Sequence, residues 1–127
     1  MIRSGGWGCI FAFLASTVSA FDVPSGFAVE FQESFYERQD GGDVWARFRF
    51  VVPAIGDEDV GYSQVVDDFL VLCESYALPS LQGRDIPAQI VISLADRVTE
   101  FGAVNPDATQ FFEAFKPQNA SCMWEEF

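Results

Sequence analysis

The sequence contains no histidine among its 127 residues, and this absence removes several kinds of chemistry. Histidine is the usual general base at neutral pH, the base of Ser-His and Cys-His nucleophile pairs, and the commonest zinc ligand. The glycine-rich patterns that bind phosphate or dinucleotides are missing as well. The sequence therefore predicts no cofactor and no metal, and it favours a non-catalytic role over an enzymatic one.

Basic residues are scarce, because seven lysines and arginines stand against nineteen acidic residues, giving a formal net charge of −12. Binding to nucleic acid requires clustered cations that neutralise phosphate, so no nucleic-acid partner is expected. The acidity suits a basic protein partner, or it serves only to keep the protein in solution. We predict a protein or small ligand of unknown identity as the partner.

The first twenty residues have the pattern of a signal peptide. Arg3 is the only charge before Asp22, and residues 7–18 form an apolar stretch that is too short to span a bilayer. Small residues precede a cleavage point after Ala20, although a buried N-terminal helix is the alternative. We expect residues 1–20 to be removed and a single domain, residues 21–127, to be periplasmic or secreted, with no membrane span.

Cysteine is rare, and one of the three, Cys9, lies within the proposed signal peptide. The other two, Cys73 and Cys122, form an even pair in a chain that is expected to enter an oxidising compartment. The sequence therefore predicts a disulfide between them. Two buried thiols or a redox pair are the alternatives, but no C-x-x-C motif is present.

Alternating apolar residues predict a β-hairpin near the start of the mature chain. Residues 27–35 and 44–52 both alternate, and the acidic, glycine-containing stretch 40–43 between them is a turn signal. One face of the hairpin is rich in phenylalanine. The other face carries Arg47 and Arg49, which are either an anion site or cross-strand partners of acidic residues.

The strongest strand signal lies in residues 88–101, around which we expect the fold to be organised. Ile90, Val91 and Ile92 are β-branched, and the run is apolar on both sides of the pleat, as in a central strand. A turn at Asp96-Arg97 is then expected to lead into another strand over residues 98–101.

Helical spacing predicts two helices. The first runs over residues 63–76, with Ser63 as its N-cap and an apolar stripe on one side. The second begins at Asn105-Pro106-Asp107, a start signal, and ends at Pro117. Its aromatic residues have the spacing of one helix face: Phe111, Phe112 and Phe115. A last strand is expected over residues 121–127.

These elements give the order β-β-α-β-β-α-β. Short connections between neighbouring strands favour a mostly antiparallel sheet, and the two helices are expected to cover one of its faces. The predicted fold class is therefore a two-layer α+β domain.

The best candidate for a binding site is the expected turn that contains Asp96, Arg97 and Glu100. An arginine between two acids can bind a carboxylate or phosphate through two hydrogen bonds. Two carboxylates can also perform acid–base hydrolysis, as in glycosidases. The alternative is a local salt bridge that stabilises the turn. Binding residues are common on loops held by rigid strands, which favours this patch over others.

Several stretches of the chain together resemble a family of small exported bacterial proteins of unknown function: VPSG, VWARFRFVVPAI, AQIVISLADRVTEFG, PDATQFFEAF and CMWEEF. The resemblance covers nearly the whole mature chain and implies no catalytic residues. Some relatives carry an acetolactate synthase label. This sequence does not support that label, because it lacks the G-D-G…N pattern for metal and thiamine diphosphate.

Three kinds of function remain open at this stage. The preferred hypothesis is a non-catalytic binding or accessory domain of the periplasm or cell envelope, one version being an acidic inhibitor of a basic secreted enzyme. The second is a small carboxylate-dependent hydrolase that uses Asp96 or Glu100. The third is a purely structural component of the envelope.

Overall fold

A computed structural model describes residues 21–126, so the predicted signal peptide and Phe127 lie outside the described residues. Five strands form one sheet in the order of the sequence. Their bounds are as follows: β1 Glu30–Arg38, β2 Val44–Val51, β3 Gln89–Ala95, β4 Gln110–Gln118 and β5 Ser121–Glu125.

The sheet is mixed, because β2 and β3 run parallel while the other neighbouring strands are antiparallel. A parallel pair needs a connection that returns along the sheet, and helical structure commonly supplies it. Here a short 3-10 turn, Pro53–Gly56, precedes helix α1, Tyr62–Leu72. A π-helical segment, Cys73–Ala77, and a final helical turn, Leu78–Ser80, continue α1 without a break.

The prediction of two helices on one face of a mostly antiparallel sheet is wrong. The first predicted helix is present, and Gly61 rather than Ser63 is its N-cap. The second predicted helix is instead strand β4. Phe111 and Phe115 are four residues apart, a spacing that places them on the same side in a strand as well as in a helix. Aromatic residues also favour strands, so the pattern was ambiguous.

The strand expected over residues 98–101 is also absent from the described structure, where these residues lie in the connection from β3 to β4. The central strand itself is confirmed. Ile90, Val91 and Ile92 in β3 are all buried, although they point alternately to opposite faces. The hairpin of β1 and β2 and the last strand, β5, are present as well.

A β-bulge in β1 divides the aromatic residues of the hairpin between the two faces of the sheet. The register shifts between Phe31 and Glu33, so Phe31 pairs with Phe50 whereas Phe35 pairs with Arg47. An extra residue reverses the faces of all later side chains in a strand. Phe31 therefore contacts the core, and Phe35 lies on the face that α1 does not cover.

The core lies between α1 and the sheet. Phe50 in β2 is fully buried at its centre, with the rings of three aromatic residues in contact with it at centroid distances of 5.5 to 5.9 Å: Phe21, Phe31 and Tyr76. The N-terminal segment is fixed a second time by Asp68, a buried residue of α1 that accepts hydrogen bonds from the N–H and hydroxyl of Ser25. Residues that directly follow the proposed cleavage point are thus part of the fold.

The predicted disulfide is present and joins Cys73 to Cys122, with 6.4 Å between their Cα atoms. Glu74, the next residue of the π-helical segment, accepts a hydrogen bond of 3.0 Å from the Cys122 N–H. Two consecutive residues of this segment therefore hold strand β5 at its outer edge. No helix within residues 21–126 is both long enough and apolar enough to cross a bilayer.

Candidate functional site

A long loop, residues 96–109, connects β3 to β4 and contains all three residues of the predicted binding site, Asp96, Arg97 and Glu100. Its two ends lie side by side. The Asp96 N–H donates to the Thr109 carbonyl over 3.0 Å, and the Thr109 N–H donates to the Asp96 Oδ1 over 3.1 Å. Compact loops whose ends meet in this way frequently carry function.

Asp96 and Arg97 close the base of the 96–109 loop. The Arg97 guanidinium donates to both carboxylate oxygens of Asp96, over 3.2 and 2.9 Å, and also to the Asp107 carbonyl over 3.0 Å. A Cβ at Gly56 would lie only 2.8 Å from the Asp96 Oδ2, so glycine is needed there for close approach. The Asp96 side chain is consequently buried, whereas that of Arg97 is half-exposed.

The Asp96 ion pair makes a testable prediction about pH. The hydrogen bond from Arg97, assisted by the Thr109 N–H and opposed by burial of the carboxylate, holds the pKa of Asp96 below its ordinary value of 3.8. A carboxyl group whose pKa is lowered by folding stabilises the folded state at pH values above its unfolded pKa. This stabilisation is lost as pH falls through the folded pKa. In urea unfolding, the stability difference between wild type and Asp96→Asn should shrink from about pH 6 to about pH 2.5. A constant difference would contradict the ion pair.

Glu100 does not join this pair. Within residues 21–126 its carboxylate makes no ion pair, and its backbone carbonyl accepts the Ala103 N–H in a turn. The structure therefore brings together two of the three predicted site residues, Asp96 and Arg97. The exposed part of the loop also includes two apolar side chains, because Val98 is 69% exposed and Val104 is 92% exposed.

Phe101 fixes the 96–109 loop onto the uncovered face of the sheet. Its ring lies 5.0 Å from the Arg47 guanidinium, 5.5 Å from that of Arg49, and 5.0 Å from the Phe35 ring. The Thr99 hydroxyl accepts a hydrogen bond of 2.9 Å from Arg49. These contacts place the middle of the loop over β1 and β2, whereas its ends follow β3 and precede β4.

Arg47 and Arg49 in β2 form cross-strand ion pairs with acidic residues of β1. Arg47 donates to Glu37 over 2.6 Å, and Arg49 donates to Glu33 over 2.5 Å. The hydrogen bond from Arg47 lowers the pKa of the Glu37 carboxyl. Since both guanidinium groups already contact a carboxylate, the geometry favours the cross-strand interpretation over an anion site.

An open cleft of about 470 Å³ lies beside the start of β4, and we call it the Tyr62 cleft. It is lined by Tyr62, Gln110, Phe111 and Phe112. The Tyr62 hydroxyl donates a hydrogen bond to the Glu113 carboxylate. Phe112 is 43% exposed, a feature the helix prediction missed and that a period-two interpretation of β4 would have indicated.

The environment of Tyr62 predicts that its phenol loses its proton only at unusually high pH. Burial, followed by the hydrogen bond to Glu113, raises the pKa of Tyr62 to about 12. The neutral phenol thus stabilises the fold below the unfolded pKa of 10.0 and loses this effect as pH rises through the folded value. Glu113→Gln should lower the pKa only part of the way, because burial remains. The pKa of Tyr62 is measured from tyrosinate absorbance against pH, with Tyr62→Phe as the blank. A pKa that is unchanged in Glu113→Gln would count against the hydrogen bond between Tyr62 and Glu113.

The lowered pKa of Asp96 limits the part that this residue could play in hydrolysis. A general acid needs a raised pKa, so Asp96 suits only the ionised member of a carboxylate pair, the nucleophile or general base. In residues 21–126 no three acidic or cysteine side chains converge as metal ligands. If Asp96 and Glu100 nevertheless perform hydrolysis, the double variant Asp96→Asn and Glu100→Gln must lose the activity.

Comparison with known proteins adds one finding. A family model described as a family of unknown function, DUF6497, matches residues 9–127. The chain belongs to this family. The match covers every described strand and helix of the domain, as well as the 96–109 loop and the Tyr62 cleft. No curated protein and no solved structure matches the chain. The family's description assigns no activity, so a proposal about function has to rest on the geometry.

Proposed function

We propose that the chain is an exported, non-catalytic binding domain of the periplasm or cell envelope, and that its 96–109 loop contacts a basic protein partner. The observation that carries this proposal is the exposure of Val98 and Val104 on a loop whose base is closed by Asp96 and Arg97. A contiguous exposed apolar patch often marks a site of interaction, and we propose that the two valines belong to one such patch.

The loop is held in place before any partner arrives. Phe101 and Thr99 fix its middle on the sheet, and the contacts of Asp96 with Thr109 fix its ends. A fixed loop loses less conformational entropy on binding than a mobile one, so more of the contact energy appears as affinity. This supports a role for the loop in recognition.

The negative net charge of the chain supports the proposal of a basic partner. The net charge of −12 becomes −13 when Arg3 leaves with the signal peptide, since no acid leaves with it. The loop itself carries two exposed acidic residues, Glu100 and Asp107. Opposite charge on a partner raises the rate of encounter and disfavours wrong partners.

Export is supported by two observations on the mature domain. Disulfides persist mainly in oxidising compartments, and Cys73 is joined to Cys122. Phe21 contacts Phe50 and Tyr76 in the core, so a chain cleaved after Ala20 would keep these contacts and begin at a residue that packs into the core. The cleavage point and the compartment are themselves part of the proposal.

The experiment uses the immobilised mature protein and a periplasmic extract. Retention of a basic protein should be strong at about 50 mM salt and weak at about 500 mM, because salt screens charges. The double variant Val98→Ser and Val104→Ser should lose retention. Ile86→Ser is the matched control, since Ile86 is 80% exposed at the opposite end of β3. Equal retention by all three proteins would refute the role of the loop.

An inhibitor of a basic secreted enzyme is the more specific form of this function, since a loop that is already fixed at its ends and its middle can contact an enzyme without being reordered. The test is inhibition of the retained protein, where it is an enzyme, by the wild type but not by the Val98→Ser and Val104→Ser variant. Retention without inhibition would leave an accessory binding role.

A further inference from the structure

Strand β4 is paired along only part of its outer side. β5 pairs with residues 114–118 of β4, and the pairing ends at Ala114 opposite Glu125. The first part of β4, Gln110 to Glu113, is paired with β3 on one side. On its other side, within residues 21–126, no strand is present. We call residues 110–113 the free edge.

The direction of the backbone groups at the free edge follows from the pairing further along. The Cys122 N–H points away from β4 to Glu74, and the residue opposite Cys122 is Pro117, which has no N–H. That pair is therefore not hydrogen-bonded. Since bonded and non-bonded pairs alternate in antiparallel strands, Lys116 and Ala114 bond to β5. Continuing the alternation, the N–H and C=O of Phe112 and Gln110 point to the open side.

The free edge differs from the two outer edges of the sheet. β1 carries a bulge and several charged side chains, which are common devices against strand addition. On β5, Glu74 occupies the Cys122 N–H. The free edge has neither a bulge nor a proline. It carries exposed Phe112 and lies beside the Tyr62 cleft, which Phe112 also lines.

The charges around the free edge are acidic. Glu113 lies within it, and Glu125 is opposite Ala114 where the β5 pairing ends. Glu126 follows directly in the chain and is exposed. A segment bound here would thus meet backbone donors and acceptors, aromatic side chains and carboxylates. The complementary segment is extended, with apolar and basic side chains.

We propose that a partner protein adds an extended, basic segment to residues 110–113 as an extra strand, in line with β5. In this mode of recognition, main-chain hydrogen bonds supply affinity and pockets for alternate side chains supply specificity. The Tyr62 cleft accepts an apolar side chain on one face, and Glu113 with Glu125 and Glu126 attracts the cations. The inference rests on the proposed function, because it specifies how the basic partner is held.

The test uses the disulfide-linked mature protein and a phage library of random dodecapeptides. Enriched peptides are synthesised, and their affinities are measured by fluorescence anisotropy. They should be basic, free of proline in their central residues, and weaker binders at high salt. Enrichment of acidic or proline-rich peptides, or of none at all, would overturn the proposal.

A pair of variants at one position isolates the main-chain contact. Phe112→Pro and Phe112→Val both remove the ring, but only proline removes the outward N–H. Peptides should bind the proline variant at least about fivefold more weakly than the valine variant, since a lost hydrogen bond leaves a carbonyl of the peptide unpaired. Gln110→Pro and Gln110→Val repeat the comparison at the first residue of β4, where proline is tolerated. Equal binding within both pairs would refute strand addition.

Amide exchange gives an independent readout that does not depend on substitution. In the free protein, the amides of Gln110 and Phe112 should exchange quickly, while those of Phe111 and Glu113, bonded to β3, exchange slowly. Bound peptide should protect the first two. If peptides bind without this protection but lose affinity for the Val98→Ser and Val104→Ser variant, the loop proposal survives and strand addition fails. Protection without any effect of those loop variants supports strand addition and counts against the loop.

Discussion

Replacing Cys73 and Cys122 with alanine is expected to lower the free energy of unfolding by about 4 kcal/mol. The disulfide closes a loop with a sequence separation of 49 residues, and the chain-entropy relation for such a loop gives this magnitude. Few single interactions contribute as much to a domain of this size, whose total stability is about 5 to 15 kcal/mol. Urea unfolding of the double variant and the wild type measures the difference.

Reductant supplies the control for this prediction. It should destabilise the wild type by a similar amount and leave the double variant unchanged, because the variant has no bond to reduce. Glu74 adds a hydrogen bond to the Cys122 N–H in both proteins, so that contact should cancel in the comparison. A wild type that unfolds at the same urea concentration with and without reductant would contradict a stabilising disulfide.

Phe50→Ala is expected to destabilise the domain by about 4 kcal/mol. The Phe50 side chain is fully buried, and removing it leaves a cavity among Phe21, Phe31 and Tyr76 that these rings cannot fill without moving. Both the lost burial and the cavity contribute to the effect. Chemical unfolding monitored by far-UV circular dichroism gives the value.

Phe31→Ala is the matched control for Phe50→Ala, because Phe31 contacts the same Tyr76 ring but is 38% exposed. Its replacement should lower stability by only about 1 to 2 kcal/mol, since water already reaches the site. Similar losses in the two variants would show that the core is not centred on Phe50.

Much of the local structure could be predicted from alternation and cysteine count. The β1–β2 hairpin, the buried run of β3, helix α1 and the Cys73–Cys122 bond all follow from patterns within short stretches or from the compartment. Strand β4 could not be assigned reliably, since Asn105-Pro106-Asp107 resembles a helix start and Phe111 and Phe115 fit either period. Its pairing with β3 decides in favour of a strand.

The mixed sheet differs from the prediction for a different reason. The prediction takes all neighbouring strands as antiparallel, although a helix lies between β2 and β3. A strand, a crossover helix and a second strand are the signature of a parallel pair, so the element order alone contained the signal. The parallel pairing places the β3–β4 loop at the same end of the sheet as Gly56, where it meets Asp96.

The candidate site was predictable only in its local part. Asp96 and Arg97 are adjacent in sequence, and their ion pair follows from that adjacency. The contacts of Phe101 with Arg47 and Arg49 join residues about fifty positions apart, which no local pattern reports. The free edge depends on where the pairing of β5 with β4 ends, and this is likewise a property of the assembled sheet.

The intact mass of the protein recovered from native cells, alkylated without reductant, tests most directly the claim that this is an exported, disulfide-linked domain. The account predicts a chain that begins at Phe21 and carries no alkyl group on Cys73 or Cys122. A chain that retains residues 1–20, with both of these cysteines alkylated, would contradict it.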